Sequence, residues 1–116
     1  MSRELVNRIA ATLPGAEWSE PFGPGHDTWK VGGKIFACVG SQGGGVSLKC
    51  PDVETAQMLI EAGVGVKAPY FHRSWIHLPF EGMQEAELRH RLGVAYDTIR
   101  AGLTKKAQAA LPPRSD

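Results

Sequence analysis

The sequence predicts an α+β domain: an antiparallel sheet of about five strands with three main helices. Three observations carry this. Apolar residues recur at helical spacing near the start, in the middle and near the end of the chain. Between those segments run short stretches in which apolar and polar residues alternate, as in half-buried strands. The early strands are joined by hairpin connections too short for a crossover, which favours an antiparallel sheet. A chain of 116 residues suits one domain and can bury a core without disulfides or metals. We place that domain at residues 1–104 and read residues 105–116, ending in "LPPRSD", as a C-terminal extension that frays.

The elements follow in order. Residues 2–13 form a first helix, with Leu5, Ile9 and Leu13 on one stripe and Val6 beside them. Ser2 serves as N-cap, and Pro14-Gly15 stops the helix. Residues 15–27 are rich in Pro and Gly and form a loop, with a short strand near Trp18. Residues 28–31 and 34–39 are strands, and Gly32-Gly33 supplies the positive φ angles of a two-residue hairpin. "GSQGGG" (40–45) leads to a strand at 46–50, where Val46, Leu48 and Cys50 face one way and Ser47 and Lys49 the other. That alternation marks a sheet with one wet face.

Asp52 caps a second helix whose buried stripe is Val53, Ala56, Leu59 and Ile60, and Gly63 ends it. Residues 64–68 and 75–80 read as strands. In the latter, Ile76, Leu78 and Phe80 share a face, and Trp75 and His77 take the other. After Glu81-Gly82, residues 84–103 form the longest helix, with Leu88, Leu92, Ala95, Tyr96, Ile99 and Leu103 on its stripe.

Composition narrows the function classes. There are 13 basic and 12 acidic residues, so the basic excess of a dedicated nucleic-acid binder is absent overall, and such a role would need local clustering. No apolar run is long enough for a membrane span, and the opening residues do not read as a secretory signal. Cys38 and Cys50 lack zinc or CxxC spacing. We therefore expect a cytoplasmic protein with no disulfide, no metal and no cofactor.

Two constellations stand out. "PYFHRSWIHLP" (69–79) holds Tyr70, Phe71, Arg73, Trp75 and His77. As a contact surface, Arg73 would pair with a phosphate, Trp75 would stack on a base or ligand ring, and His77 would donate alongside. As plain structure, the aromatics cover the sheet edge or pack beneath the last helix. The second constellation is Lys30, Lys34, Lys49 and Lys67. Lys30 and Lys49 sit at outward strand positions, which gives either a cationic stripe extended by Arg73 or an ordinary solvated face. The basic C-terminal end, with Arg89, Arg91 and Arg100, offers the same choice. "GSQGGG" lacks the Gly-Lys-Ser/Thr ending of a phosphate loop and reads as a hairpin tip. His26, His72, His77 and His90 have no metal-ligand spacing. Cys38 lies in mid-strand, where a buried inert thiol is the ordinary state. No catalytic residue is assigned.

"LPGAEWSEPFG" (13–23), "TWKVGGKIFACVG" (28–40), "VSLKC" (46–50) and "VKAPYFHRSWIHLPFEG" (66–82) together resemble the MmcQ/YjbR family of small bacterial proteins. The resemblance implies a double-wing α+β arrangement and a DNA-binding role. Family members commonly carry His before the tryptophan and Asn after it, where this chain has Ser74 and Ile76. The expectation is a non-enzymatic binding module, with DNA reached through Lys30, Lys34, Lys49, Lys67, Arg73, Trp75 and His77. Its alternatives are a protein- or small-ligand-binding domain built on Tyr70 and Trp75, and an enzyme of unknown reaction.

Overall fold

The computed structural model describes residues 3–40 and 44–114. In chain order the elements are α1 (Arg3–Ala10), β1 (Glu17–Ser19), β2 (Thr28–Val31), β3 (Lys34–Val39), β4 (Gly45–Lys49), α2 (Val53–Glu61), β5 (Val66–Lys67), β6 (Trp75–Pro79), α3 (Glu85–Ala101) and α4 (Lys105–Ala109). The strands form one sheet in the order β1-β2-β3-β4-β6-β5, and every neighbouring pair is antiparallel. The α+β class holds, with six strands and four helices among the described residues. The sixth strand is β1, the short stretch at Trp18. The Ser2 cap and residues 41–43 of the "GSQGGG" tip lie outside the described residues.

Helices α1 and α3 lie on β2–β4, and α2 lies against β5 and β6. Their apolar stripes meet Val31, Val39, Val46, Leu48, Ile76 and Leu78 in one core. A bulge shapes its centre. Trp29 pairs with Ala37 but Lys30 pairs with Ile35, so Phe36 is the extra residue. The bulge breaks strict alternation, which lets adjacent Phe36 and Ala37 both be buried. Phe36 meets Tyr96 of α3 edge-on, with ring centres 5.6 Å apart. The Tyr96 hydroxyl donates to the Pro14 carbonyl and accepts from Arg100, so a large polar-tipped ring is buried with its tip satisfied.

Local chemistry sets the element ends. Gly32 and Gly33 have φ of 59° and 81°, as a tight hairpin needs. A Cβ on Gly32 would also run into Leu103. The Asp52 carboxylate accepts the Thr55 amide at 2.7 Å and caps α2. Ile60, expected on the buried stripe, is exposed. Helix α2 sits at the sheet's β5–β6 margin and buries only Ala56 and Leu59. Beyond Leu103, where the prolines predict fraying, Thr104 caps α4 through the Ala107 amide. Gln108 donates to the Leu103 carbonyl, and Arg114 pairs with Asp97.

One buried polar group joins the first helix to the sheet. The Asp27 carboxylate, 1% exposed, accepts from Arg3 Nε at 2.7 Å and Nη2 at 3.0 Å, Asn7 Nδ2 at 3.1 Å and Trp18 Nε1 at 2.9 Å. Asn7 Oδ1 in turn accepts from Trp29 Nε1 at 2.8 Å. The Asp27 carbonyl accepts from the Val39 amide. Burial alone would raise this carboxyl's pKa. The bonds from Trp18, Asn7 and Arg3, with the charge of Arg3, outweigh burial and hold it below its ordinary 3.8.

Asp27→Asn is expected to destabilise the fold by about 2–3 kcal/mol at pH 7, since it removes a charged acceptor and leaves its donors poorly matched. A pKa depressed by folding stabilises above the unfolded-state value, and that stability is lost as pH falls through the folded-state value. Urea titrations of both proteins should therefore show the gap between them closing only as pH drops below about 4. A gap already closed at pH 6 would refute the assignment.

Candidate functional site

The sheet face turned away from α1–α3 carries the site. One row of small polar side chains crosses it, because Ser19 pairs with Thr28, Thr28 with Cys38, Cys38 with Ser47 and Ser47 with His77. The alternation that puts Val46, Leu48, Ile76 and Leu78 in the core puts these residues outside. The outer face was expected to be wet. Instead Thr28, Cys38 and Ser47 are buried, and this corrects that expectation. Two loops close over the row.

Residues 20–27 supply Phe22 and His26, and residues 68–74 supply Pro69, Tyr70 and Phe71. With Gly40 and the floor of Cys38, Ser47 and His77, they enclose a pocket of about 440 Å³. This lies within the usual size range for small-molecule sites, roughly 300–1,000 Å³. Most of its wall is apolar carbon, and none of the lining residues is Asp, Glu, Lys or Arg.

Each loop is held in place. Asp27 anchors the first through Arg3, Asn7 and Trp18, and Glu20 accepts from the Gly25 amide. In the second, Lys49 Nζ donates to Ser74 Oγ at 2.6 Å. The Ser74 amide donates to His72 Nδ1 at 3.1 Å, and Ser74 Oγ lies 2.9 Å from the same nitrogen. Since that nitrogen is an acceptor, Ser74 donates its hydroxyl hydrogen to it while accepting from Lys49. Phe71 stacks on Trp75 with centroids 4.3 Å apart. Tyr70 has φ 69°, a left-handed conformation that costs a non-glycine residue about 1–2 kcal/mol. It holds the Tyr70 ring fully out in solvent at the pocket mouth.

The floor is uncharged. Burial lowers the pKa of His77 below its ordinary 6.5, so the imidazole is neutral at pH 7. Its Nδ1 lies 3.2 Å from Ser47 Oγ, and its Nε2 lies against Gly45, where a Cβ would approach to 2.5 Å. Burial also pushes the Cys38 thiol above its ordinary 9.0, although Thr28 offsets part of this. Cys38 therefore stays a thiol, a poor nucleophile. Cys38 and Cys50 are both free. Among the described residues, no group of three His, Cys, Asp or Glu side chains could hold a metal ion.

The residues singled out from sequence do not converge. His77 lines the pocket. Trp75 is 9% exposed beneath Phe71, so its ring is no open stacking platform. Lys49 is committed to Ser74. Lys30 is half-buried, with Glu17 as its neighbour on β1. Lys34, Lys67 and Arg73 are exposed at the β2–β3 turn, on edge strand β5 and in the loop before β6. Of the C-terminal arginines, Arg89 and Arg91 pair with Glu85 and Glu87, and Arg100 reaches Tyr96. Sequence reasoning missed Phe22, Pro69, Gly40 and Ser47 as site residues. The signal was the smallness of Cys38 and Ser47 at outward mid-strand positions, which leaves room above the sheet.

Comparison with known proteins agrees with this architecture. A family model described as YjbR matches residues 11–98. "Uncharacterized protein YbdF" from Escherichia coli O157:H7 is 30% identical over 114 residues, covering 95% of this chain and 93% of that one. The crystal structure of Deinococcus radiodurans protein DR2400, described as a DUF419 domain, superposes with a TM-score of 0.75. It covers 90% of this chain and 83% of its own at 19% identity, a likeness of fold. Among the described residues, no helix is long and apolar enough to cross a membrane.

Gly45→Ala tests the floor. Its Cβ would meet His77 Nε2 and the Leu78 carbonyl, both at 2.5 Å, and the backbone oxygen cannot swing aside. A loss of about 1–3 kcal/mol is expected. Gly40→Ala, with nothing within 4 Å of its Cβ, should stay within about 0.5 kcal/mol. Thermal denaturation showing equal losses would contradict the packing described.

Proposed function

The chain belongs to the YjbR family, and from that premise we propose that it is a small-molecule-binding module whose ligand occupies the pocket over Cys38, Ser47 and His77. Family membership supplies the fold, so the function is read from the site. The observation that carries the reading is the apolar cavity of about 440 Å³ between two separately anchored loops. Concave, mostly apolar and largely pre-formed sites with a few convergent polar groups are what small ligands use. The reading is of binding without catalysis. Ser47 and His77 lie within hydrogen-bonding reach, but His77 Nε2 lies against Gly45, and among the described residues no third, orienting side chain is hydrogen-bonded to the pair.

A second reading is nucleic-acid binding. It draws support from Lys34, Lys67 and Arg73, which are exposed and in no ion pair among the described residues. Phosphate contacts would dominate, so binding would be modest and salt-sensitive.

A neutral, polarity-sensitive naphthalene dye separates the two. Its emission should shift to the blue on binding wild-type protein. Ser47→Leu, which fills the floor, should weaken binding at least tenfold in a protein that remains folded. Equal affinity in a folded Ser47→Leu protein would overturn the pocket reading.

For the second reading, anisotropy with labelled duplex DNA should show affinity falling with salt by about 0.9 log units per log unit for each phosphate contacted. The triple variant Lys34→Glu, Lys67→Glu, Arg73→Glu should abolish that binding. No binding at low salt, or no change in the variant, removes the second reading.

A further inference from the structure

The pocket's walls and floor differ in kind. The walls include Phe22, His26, Pro69 and Phe71, with Tyr70 at the mouth, and the floor presents a thiol, a hydroxyl and an imidazole. None of these carries a fixed charge. Two charged groups beside the lining are already used, and Arg73 and Lys67, two residues from Phe71 and Pro69, are exposed and outside the lining. Asp27, next to His26, accepts from Arg3, Asn7 and Trp18, so it has little to offer a ligand cation. Lys49, two residues from Ser47, spends its ammonium on Ser74 Oγ, so it is not free to meet a ligand anion. An ion entering such a site would give up its hydration for no counter-charge, whereas a neutral ring exchanges water for aromatic contact. A single polar substituent can still be met. The Ser47 hydroxyl has one hydrogen and two lone pairs, and His77 Nδ1 at 3.2 Å takes up part of that capacity.

We propose that the pocket binds the uncharged form of an aromatic molecule and excludes carboxylate and ammonium derivatives of the same skeleton. This rests on the pocket reading above and adds the ligand's charge class to it. The consequence is a filter on protonation state. An aromatic acid would bind only through its minor neutral fraction, and an aromatic alcohol or amide would bind directly.

Three probes of one shape test this: 2-naphthol, 2-naphthoate and 2-naphthylmethylammonium. Each is titrated into 15N-labelled wild-type protein at about pH 8, above the ordinary histidine value of about 6.5, so that imidazole charge does not enter. The amide signals of Cys38, Ser47 and His77 are followed. The proposal expects 2-naphthol to bind at least tenfold more tightly than either ion. Naphthoate or the ammonium binding as tightly as naphthol, on the same amides, would overturn the charge selection and leave the pocket reading standing. If none of the three moves the floor amides, both fall. Ser47→Leu serves as the control that the shifts arise in the pocket, and shifts that persist in it with the protein folded count against both.

Discussion

The Asp27 carboxylate is the point on which the rest of the structure hangs. A buried charge without partners would cost several kcal/mol, so its presence demands donors. They come from three residues on two elements: Arg3 and Asn7 on α1 and Trp18 on β1. Satisfying one side chain thereby fixes the first helix against the sheet edge. Trp29, held by the same Asn7, carries the constraint into the core. Asp27 also ends the loop that began after β1, and its carbonyl holds Val39 on β3. Residues 20–27 are thus tied at both ends, and Phe22 and His26 stand over the sheet because of it.

The opposite wall follows the same logic with different chemistry. Lys49 points outward from β4 as strand alternation requires, but it ends on Ser74, which is bonded in turn to His72. A lysine that looks like a phosphate contact in the sequence is a tether in the fold. Phe71 lies on Trp75, so the tryptophan serves as a base for the pocket wall. Two independently pinned loops, above the small outward residues Cys38 and Ser47, leave a pocket that opens to solvent at Tyr70.

Much of the fold was legible in the sequence because it depends on local signals. Glycine pairs, the Asp52 cap and period-two alternation are short-range devices, and the strands and helices they predict are present. The alternation also assigned Trp75 and His77 correctly to the face away from Ile76 and Leu78. What was not legible depends on contacts between distant residues. Nothing near Ser47 announces that residues 20–27 and 68–74 will cover it, so a wet face was expected. Burial of Phe36 beside Ala37 depends on a bulge defined by the partner strand. Ile60 has helical spacing for burial, but α2 lies at the sheet margin, where the buried stripe is narrow. The lysine stripe failed to converge for a related reason: outward position gives direction, while partners such as Ser74 decide what a charge does.

The two margins of the sheet bear on how the protein behaves among its own copies. β1 has three residues and β5 has two, and β5 ends in exposed Lys67. An edge strand offers unpaired amides and carbonyls to any other chain, and long flat edges template aggregation. Here both edges are too short to make a good template for an added strand, and Lys67 adds a charge that resists burial. The longer central strands, β3 and β4, are paired on both sides. The fold can therefore keep its β-rich face uncovered by helices and still not present a surface along which sheets propagate.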